Sequence, residues 1–200
     1  MKWIAIVGVL SAAGLAVARD LNCWPDSDAL YLFGSSPNAK QHELFMFSSH
    51  HKIDGHRGLI KTNDTRQEFV FYQCSVASSK YKNGGQIRSK TNPSMCVTPG
   101  AVHREVNGEL EQYPADVDDR ISLQPCATDH NLLLRKQWFT KNASPKSCIF
   151  QVTHHGWSTD APSDVIVMSE NGVALGSDVN PGTVQSMFLG PKKGFETVAC

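Results

Sequence analysis

The feature that most constrains this chain is a phrase of short strands and spaced cysteines that recurs three times. The middle copy is the clearest. It runs Gly85-Gln86-Ile87-Arg88-Ser89-Lys90, then Ser94-Met95-Cys96-Val97-Thr98, then Arg120-Ile121-Ser122-Leu123-Gln124-Pro125-Cys126, then Lys136-Gln137-Trp138-Phe139. A repeat of supersecondary size decides architecture before any local reading does, because each unit buries its apolar face against its neighbours. Three such units imply a three-lobed, all-β protein of the binding kind.

The rest of the chain follows the same pattern. Runs at 30–33, 44–47, 69–72, 121–123, 149–152, 165–168 and 173–175 are short and rich in aromatic or β-branched residues. Gly, Pro, Asn, Asp and Ser separate them, as at Asn83-Gly84-Gly85, Asn107-Gly108 and Asn180-Pro181-Gly182. Residues 129–139 have room for one helical turn or two, and read as a loop leading into a strand. Three units align, over about 29–82, 83–147 and 148–192. Each opens with a strand (30–33, 86–89, 149–153) and has a third strand (69–73, 121–124, 173–176). Each closes on an aromatic: Tyr81, then Trp138 or Phe139, then Phe188. The expected fold is an all-β β-trefoil with three pseudo-symmetric four-strand units. Six strands would form a short barrel capped by three hairpins, and the closing aromatics would fill it.

The start of the chain reads as an address. Met1-Lys2 is followed by an apolar stretch, and Ala16-Val17-Ala18 fits the small-residue rule for signal-peptide cleavage. Residues 1–18 are therefore expected to be a signal peptide, and 19–200 a single secreted domain. The apolar stretch is shorter than the roughly 20 residues a spanning helix needs, so no membrane span is expected. Lys plus Arg number 19, as do Asp plus Glu. Such a balance gives no sign of a basic patch for nucleic acid, and leaves sugars, neutral protein surfaces and small molecules open as partners. The six cysteines are even in number and contain no Cys-x-x-Cys pair. In a secreted chain they read as disulfides, and no metal or cofactor is expected. Asn63-Asp64-Thr65 and Asn142-Ala143-Ser144 are glycosylation sequons, expected in exposed turns.

Gly85-Gln86-Ile87-Arg88, Met95-Cys96-Val97, Ile121 to Cys126 and Gln137-Trp138 together resemble one unit of the ricin B-type lectin family. The likeness covers about 84–142 and is weak in the flanking units. It implies a β-trefoil that binds carbohydrate, with Cys96 bonded to Cys126. The nearness of trefoil termini then suggests Cys23 with Cys200, which leaves Cys74 with Cys148.

The departures from that family bear on the site. Its members carry an Asp two residues after the first Cys, where a carboxylate takes two sugar hydroxyls. Here that place is held by Thr98, followed by Pro99-Gly100. Lys136 stands where the Gln of the closing phrase belongs, with Gln137 beside Trp138. In the third unit Glu170 falls opposite Thr98. Glu170, Asn171, Asp178 and Asn180 can make a polar pocket there, and Asp54 offers a carboxylate in the first unit. All five are equally ordinary turn formers.

Signals of catalysis are poor. His50, His51, His56, His154 and His155 read as solvated loop residues, because neighbouring His on a strand point to opposite faces. Asp116, Asp118 and Asp119 could pair as acids for glycoside hydrolysis, but they fall in a long polar insert, 101–119, that reads as a partner-binding loop. The expectation is a secreted, non-catalytic carbohydrate-binding protein, whose partner is a glycan or glycoprotein surface. The alternative is a trefoil that binds another secreted or host protein, as a protease inhibitor or effector does, with its sugar site lost.

Overall fold

The computed structural model describes residues 21–35, 43–64, 66–75, 84–107, 109–113, 118–129, 132–143, 149–154, 165–169, 172–176 and 184–191. Over these residues the chain is all-β, with a single five-residue helix, α1 (Leu132–Lys136). The strands are β1 (Asn22–Pro25), β2 (Tyr31–Ser35), β3 (Glu43–Ile53), β4 (His56–Thr62), β5 (Phe69–Ser75), β6 (Gly84–Ser89), β7 (Met95–Thr98) and β8 (Val102–Val106). They continue as β9 (Glu109–Tyr113), β10 (Ser122–Pro125), β11 (Phe139–Ala143), β12 (Phe150–His154), β13 (Val165–Ser169), β14 (Gly172–Gly176) and β15 (Val184–Gly190). All named pairings are antiparallel, and thirteen strands join one sheet, while β8 and β9 pair with each other.

The pairings return on themselves. β2 pairs β15, β15 pairs β12, β12 pairs β11, β11 pairs β6 and β6 pairs β5. A bridge at the foot of β2 brings β5 back to the start. There Leu30 N–H donates to Phe69 O at 2.8 Å and Phe69 N–H to Leu30 O at 2.7 Å. Three further antiparallel pairs lie off this ring: β3–β4, β7–β10 and β13–β14. Backbone bonds tie them together, from Leu59 N–H to Ile121 O at 2.8 Å and from Ile121 N–H to Val173 O at 2.7 Å. A sheet whose edges meet leaves few free backbone groups for stray pairing.

Period-two patterning explains the core. Each ring strand supplies a buried side chain: Leu32, Phe71, Ile87, Phe139, Val152 and Leu189. The off-ring pairs add Phe45, Phe47 and Leu59, then Val97 and Leu123, then Val173. Fully burying such side chains is worth about 1.5–3 kcal/mol each. β6 is buried on both faces, with Ile87 in the central core and Gln86 on the opposite side.

Several expectations need correction. Phe139 fills the ring, whereas Trp138 sits in a satellite cluster with Cys74, Ala127 and Leu134. It requires Gly84, where an added Cβ would lie 2.1 Å from Trp138 Nε1. Phe188 is half-buried, because Met187 and Leu189 take the inward places of β15; Tyr81 lies outside the described residues. Residues 129–139 contain α1, favoured by the Leu132-Leu133-Leu134 run, of which Leu134 is fully buried. The insert 101–119 contains the β8–β9 hairpin, with Asn107, just after β8, at φ 55.

The Cys96–Cys126 disulfide is formed, joining β7 to the end of β10. Cys23 bonds Cys74, in place of the expected Cys23–Cys200 and Cys74–Cys148 pairs. The reason is β1, a strand the sequence reading missed: it pairs β5 with Cys23 directly opposite Cys74. Cys148 and Cys200 lie outside the described residues. No helix among the described residues is long and apolar enough to cross a membrane.

Candidate functional site

A network of buried amides ties β6, β7 and β10 to the segment after α1. Gln86, Thr98 and Gln137 are each fully buried. Gln137 Nε2 donates to Thr98 Oγ1 at 2.8 Å and to Pro125 O at 2.9 Å. Its Oε1 accepts from Ala127 N–H at 2.7 Å and from Gln86 Nε2 at 3.2 Å. Gln86 Nε2 also donates to Ala127 O, while its Oε1 accepts two bonds from Arg88. Arg88 in turn lies over the Tyr72 ring, 4.3 Å from its centroid, and burial pulls its pKa down from the ordinary arginine value. Buried polar groups stay only when paired, and both amides are fully used. Thr98 donates its own hydroxyl to Cys96 O at 3.0 Å. Thr98 is therefore sealed into the scaffold, where no ligand reaches it.

Beside this network lies a charged corner. Asp118 accepts from Arg120 Nε at 2.8 Å and from Arg120 N–H at 3.1 Å, and the two side chains form an ion pair. The guanidinium holds the Asp118 carboxyl below its usual range, with a smaller contribution from His51. A carboxylate locked this way is poorly suited to act as a general acid. Lys136 donates to Gly100 O, and burial lowers its pKa while the charge of Asp54 opposes that shift. Asp54 (φ 50) and Gly55 (φ 81) form the two-residue turn between β3 and β4. Positive φ at both positions is the type I′ pattern, for which Asp-Gly is a preferred pair.

The β3–β4 hairpin also borders a cavity of about 380 Å³. Gly55, His56 and Arg57 form one wall, and Ser89, Thr91 and Asn92, at and after the end of β6, form the other. Met95 and Leu123 supply apolar surface. Its volume falls within the range of small-ligand sites, which join apolar lining to a few convergent polar groups. The turn is pinned from within: Ser89 Oγ lies 3.1 Å from Thr91 Oγ1 and accepts from Asn92 N–H at 3.4 Å, and Asn92 Oδ1 accepts from Ser94 N–H at 3.3 Å.

The residues singled out in the sequence are scattered. Asp54 is in the hairpin turn next to this cavity and is not among its lining residues. Glu170, Asn171, Asp178 and Asn180 lie outside the described residues, as do Asp116, His155 and Thr65. Asn63 is exposed just after β4, whereas exposed Asn142 sits within β11, opposite Gln151, and not in a turn. His50, His51, His56 and His154 lie in strands, not in loops. His154 is buried against Phe139, with Nε2 3.1 Å from Arg135 O. His51 Nε2 is buried without a hydrogen-bond partner, its ring held against Gly58, where an added Cβ would lie 2.4 Å from Cδ2. Among the described residues no three His, Cys, Asp or Glu side chains gather as metal ligands would. Sequence reading missed the cavity. Its usable signal was Asp54-Gly55, which sets the hairpin register and so places His56 and Arg57.

Comparison with protein-family models, curated proteins and solved structures finds no match to this chain.

Proposed function

We propose that this protein is a secreted β-trefoil that binds carbohydrate and catalyses no reaction, similar in plan to ricin B-type lectins. The ring of six strands, the three pairs lying off it and the Leu59–Ile121–Val173 backbone links support the trefoil reading. The two disulfides and the apolar N-terminal stretch support secretion, since disulfides persist in oxidising compartments. The observation that carries the binding function is the cavity between the β3–β4 hairpin and the turn after β6. It sets hydroxyl and amide groups beside Met95 and Leu123. A sugar ring has that same division, with hydroxyls around its edge and C–H groups on its face.

Screening the non-reduced protein on a glycan array tests this reading. Selective retention of a saccharide class, lost on Asn92→Ala, is the expected result. Absence of binding to every glycan would refute it. A second reading, a trefoil that binds a protein, draws on the burial of Thr98 and on the β8–β9 hairpin, which pairs with no other described strand. Deletion of 103–112 separates the two: it leaves a sugar site in the cavity intact and removes a loop-borne protein contact.

A further inference from the structure

Resting on the carbohydrate reading, we infer that the cavity at the β3–β4 hairpin selects acidic saccharides, through a carboxylate or sulfate group. Two cations of the hairpin, Lys52 and Arg57, carry the argument. His56 and Arg57 line the cavity, and no Asp or Glu is among its lining residues. In the hairpin register Lys52 is directly opposite Arg57. Residues facing each other across an antiparallel pair share one face, with Cβ atoms about 5 Å apart, and like charges so placed repel. Among the described residues neither Lys52 nor Arg57 has an ion-pair partner, while five other Lys or Arg side chains are paired with acids.

Asp54, in the hairpin turn, acts electrostatically on Arg120 and Lys136. The hairpin thus sets Lys52 and Arg57, two like charges that repel, opposite each other, with Arg57 lining the polar cavity. An anionic group placed there relieves that repulsion. Arginine suits the role because its planar fork matches a carboxylate or sulfate with two parallel bonds. The remaining groups fit the body of a sugar. Thr91 and Asn92 are exposed and can exchange hydrogen bonds with ring hydroxyls, while Met95 and Leu123 offer apolar contact to a ring face.

The test is calorimetric titration of the full-length, non-reduced protein with three probes of equal length. These are a heparin-derived tetrasaccharide, a galacturonate tetrasaccharide and neutral cellotetraose. At least one acidic probe should bind about tenfold or more tightly than the neutral one, as expected for charge-assisted hydrogen bonds. Comparison of the two acidic probes identifies sulfate or carboxylate as the group recognised. Arg57→Gln should abolish the preference and Lys52→Gln should reduce it. Lys61→Gln, an exposed cation of the same hairpin paired with Glu43, should leave it unchanged. Equal affinity for acidic and neutral probes, or an acid preference that survives Arg57→Gln, overturns the acid selectivity while leaving a carbohydrate site standing. Failure of all three probes and of a wider glycan array overturns both.

Discussion

Replacing Gln137 by Leu should destabilise the scaffold around it more than its modest change of shape suggests. The side chain is fully buried and joins the end of β7, the end of β10, β6 and the segment between α1 and β11. Leucine keeps a similar volume but offers no donor or acceptor. Ala127 N–H, bonded to Gln137 Oε1 at 2.7 Å, then faces an apolar group, a loss worth about 1–3 kcal/mol for a buried donor. The other partners lose less. Thr98 still donates to Cys96 O, Gln86 Nε2 still donates to Ala127 O, and Pro125 is exposed, so water can reach its carbonyl. The total is roughly 2–4 kcal/mol after some offset from apolar burial. Urea denaturation under non-reducing conditions measures it directly, and the melting temperature should fall by roughly 5–15 °C for a domain of this size. A Gln86→Leu, Gln137→Leu cycle should be non-additive by about 0.5–3 kcal/mol, because the two amides share a bond. A loss under about 1 kcal/mol for Gln137→Leu, or strict additivity, would refute the view that this network is one cooperative unit.

Three further outcomes can be checked. Replacing both Cys96 and Cys126 by Ser should cost about 3–4 kcal/mol on the loop-entropy account for a separation of 30 residues; peptide mapping of the unaltered protein should recover Cys23 joined to Cys74, and Cys23 joined to any other cysteine contradicts the β1–β5 register. Gly84→Ala should destabilise by about 1–3 kcal/mol, since its Cβ meets the Trp138 indole, and Gly85→Ala should cost more, because there the obstacle is the Tyr72 backbone oxygen at 1.9 Å; the reverse order in thermal unfolding would count against the packing described. Arg120 lowers the folded-state pKa of Asp118, so the pair contributes stability above a pH of about 4 that is lost as pH falls through the lower, folded-state value; Arg120→Gln should move the Asp118 carboxyl titration, followed by carbon NMR, back up toward its ordinary position.

What was legible in the sequence follows the strength of the physical signal. Strands that bury aromatic or β-branched side chains at period two, such as β5 with Phe69 and Phe71, announce themselves. The opening and third strands of each expected unit accordingly fall within a residue or two of the observed elements. β1 did not announce itself, because its pattern is mostly exposed and Pro25 ends it. Missing β1 misassigned Cys23, since the pairing rests on a strand register and not on the closeness of the termini. β8 and β9 were hidden for a similar reason: their composition is polar, so Asn107-Gly108 reads as punctuation within a loop.

The site was harder to read than the fold, for a reason rooted in how polar residues act. A buried Gln pair has no periodicity, so Gln86 and Gln137 look like surface residues until the chain is folded around them. Thr98 was legible as a residue without a carboxylate, but its burial was not: its hydroxyl bonds within the core, to Cys96 O and Gln137 Nε2. The cavity depends on a single local signal. Asp54-Gly55 sets a two-residue turn, the turn sets the register, and the register brings Lys52 opposite Arg57. Charge counts over the whole chain conceal this, because 19 basic and 19 acidic residues sum to nothing while two cations face each other at one hairpin. Net neutrality argues against a broad basic surface for nucleic acid, and it is silent about a local site for one anionic group.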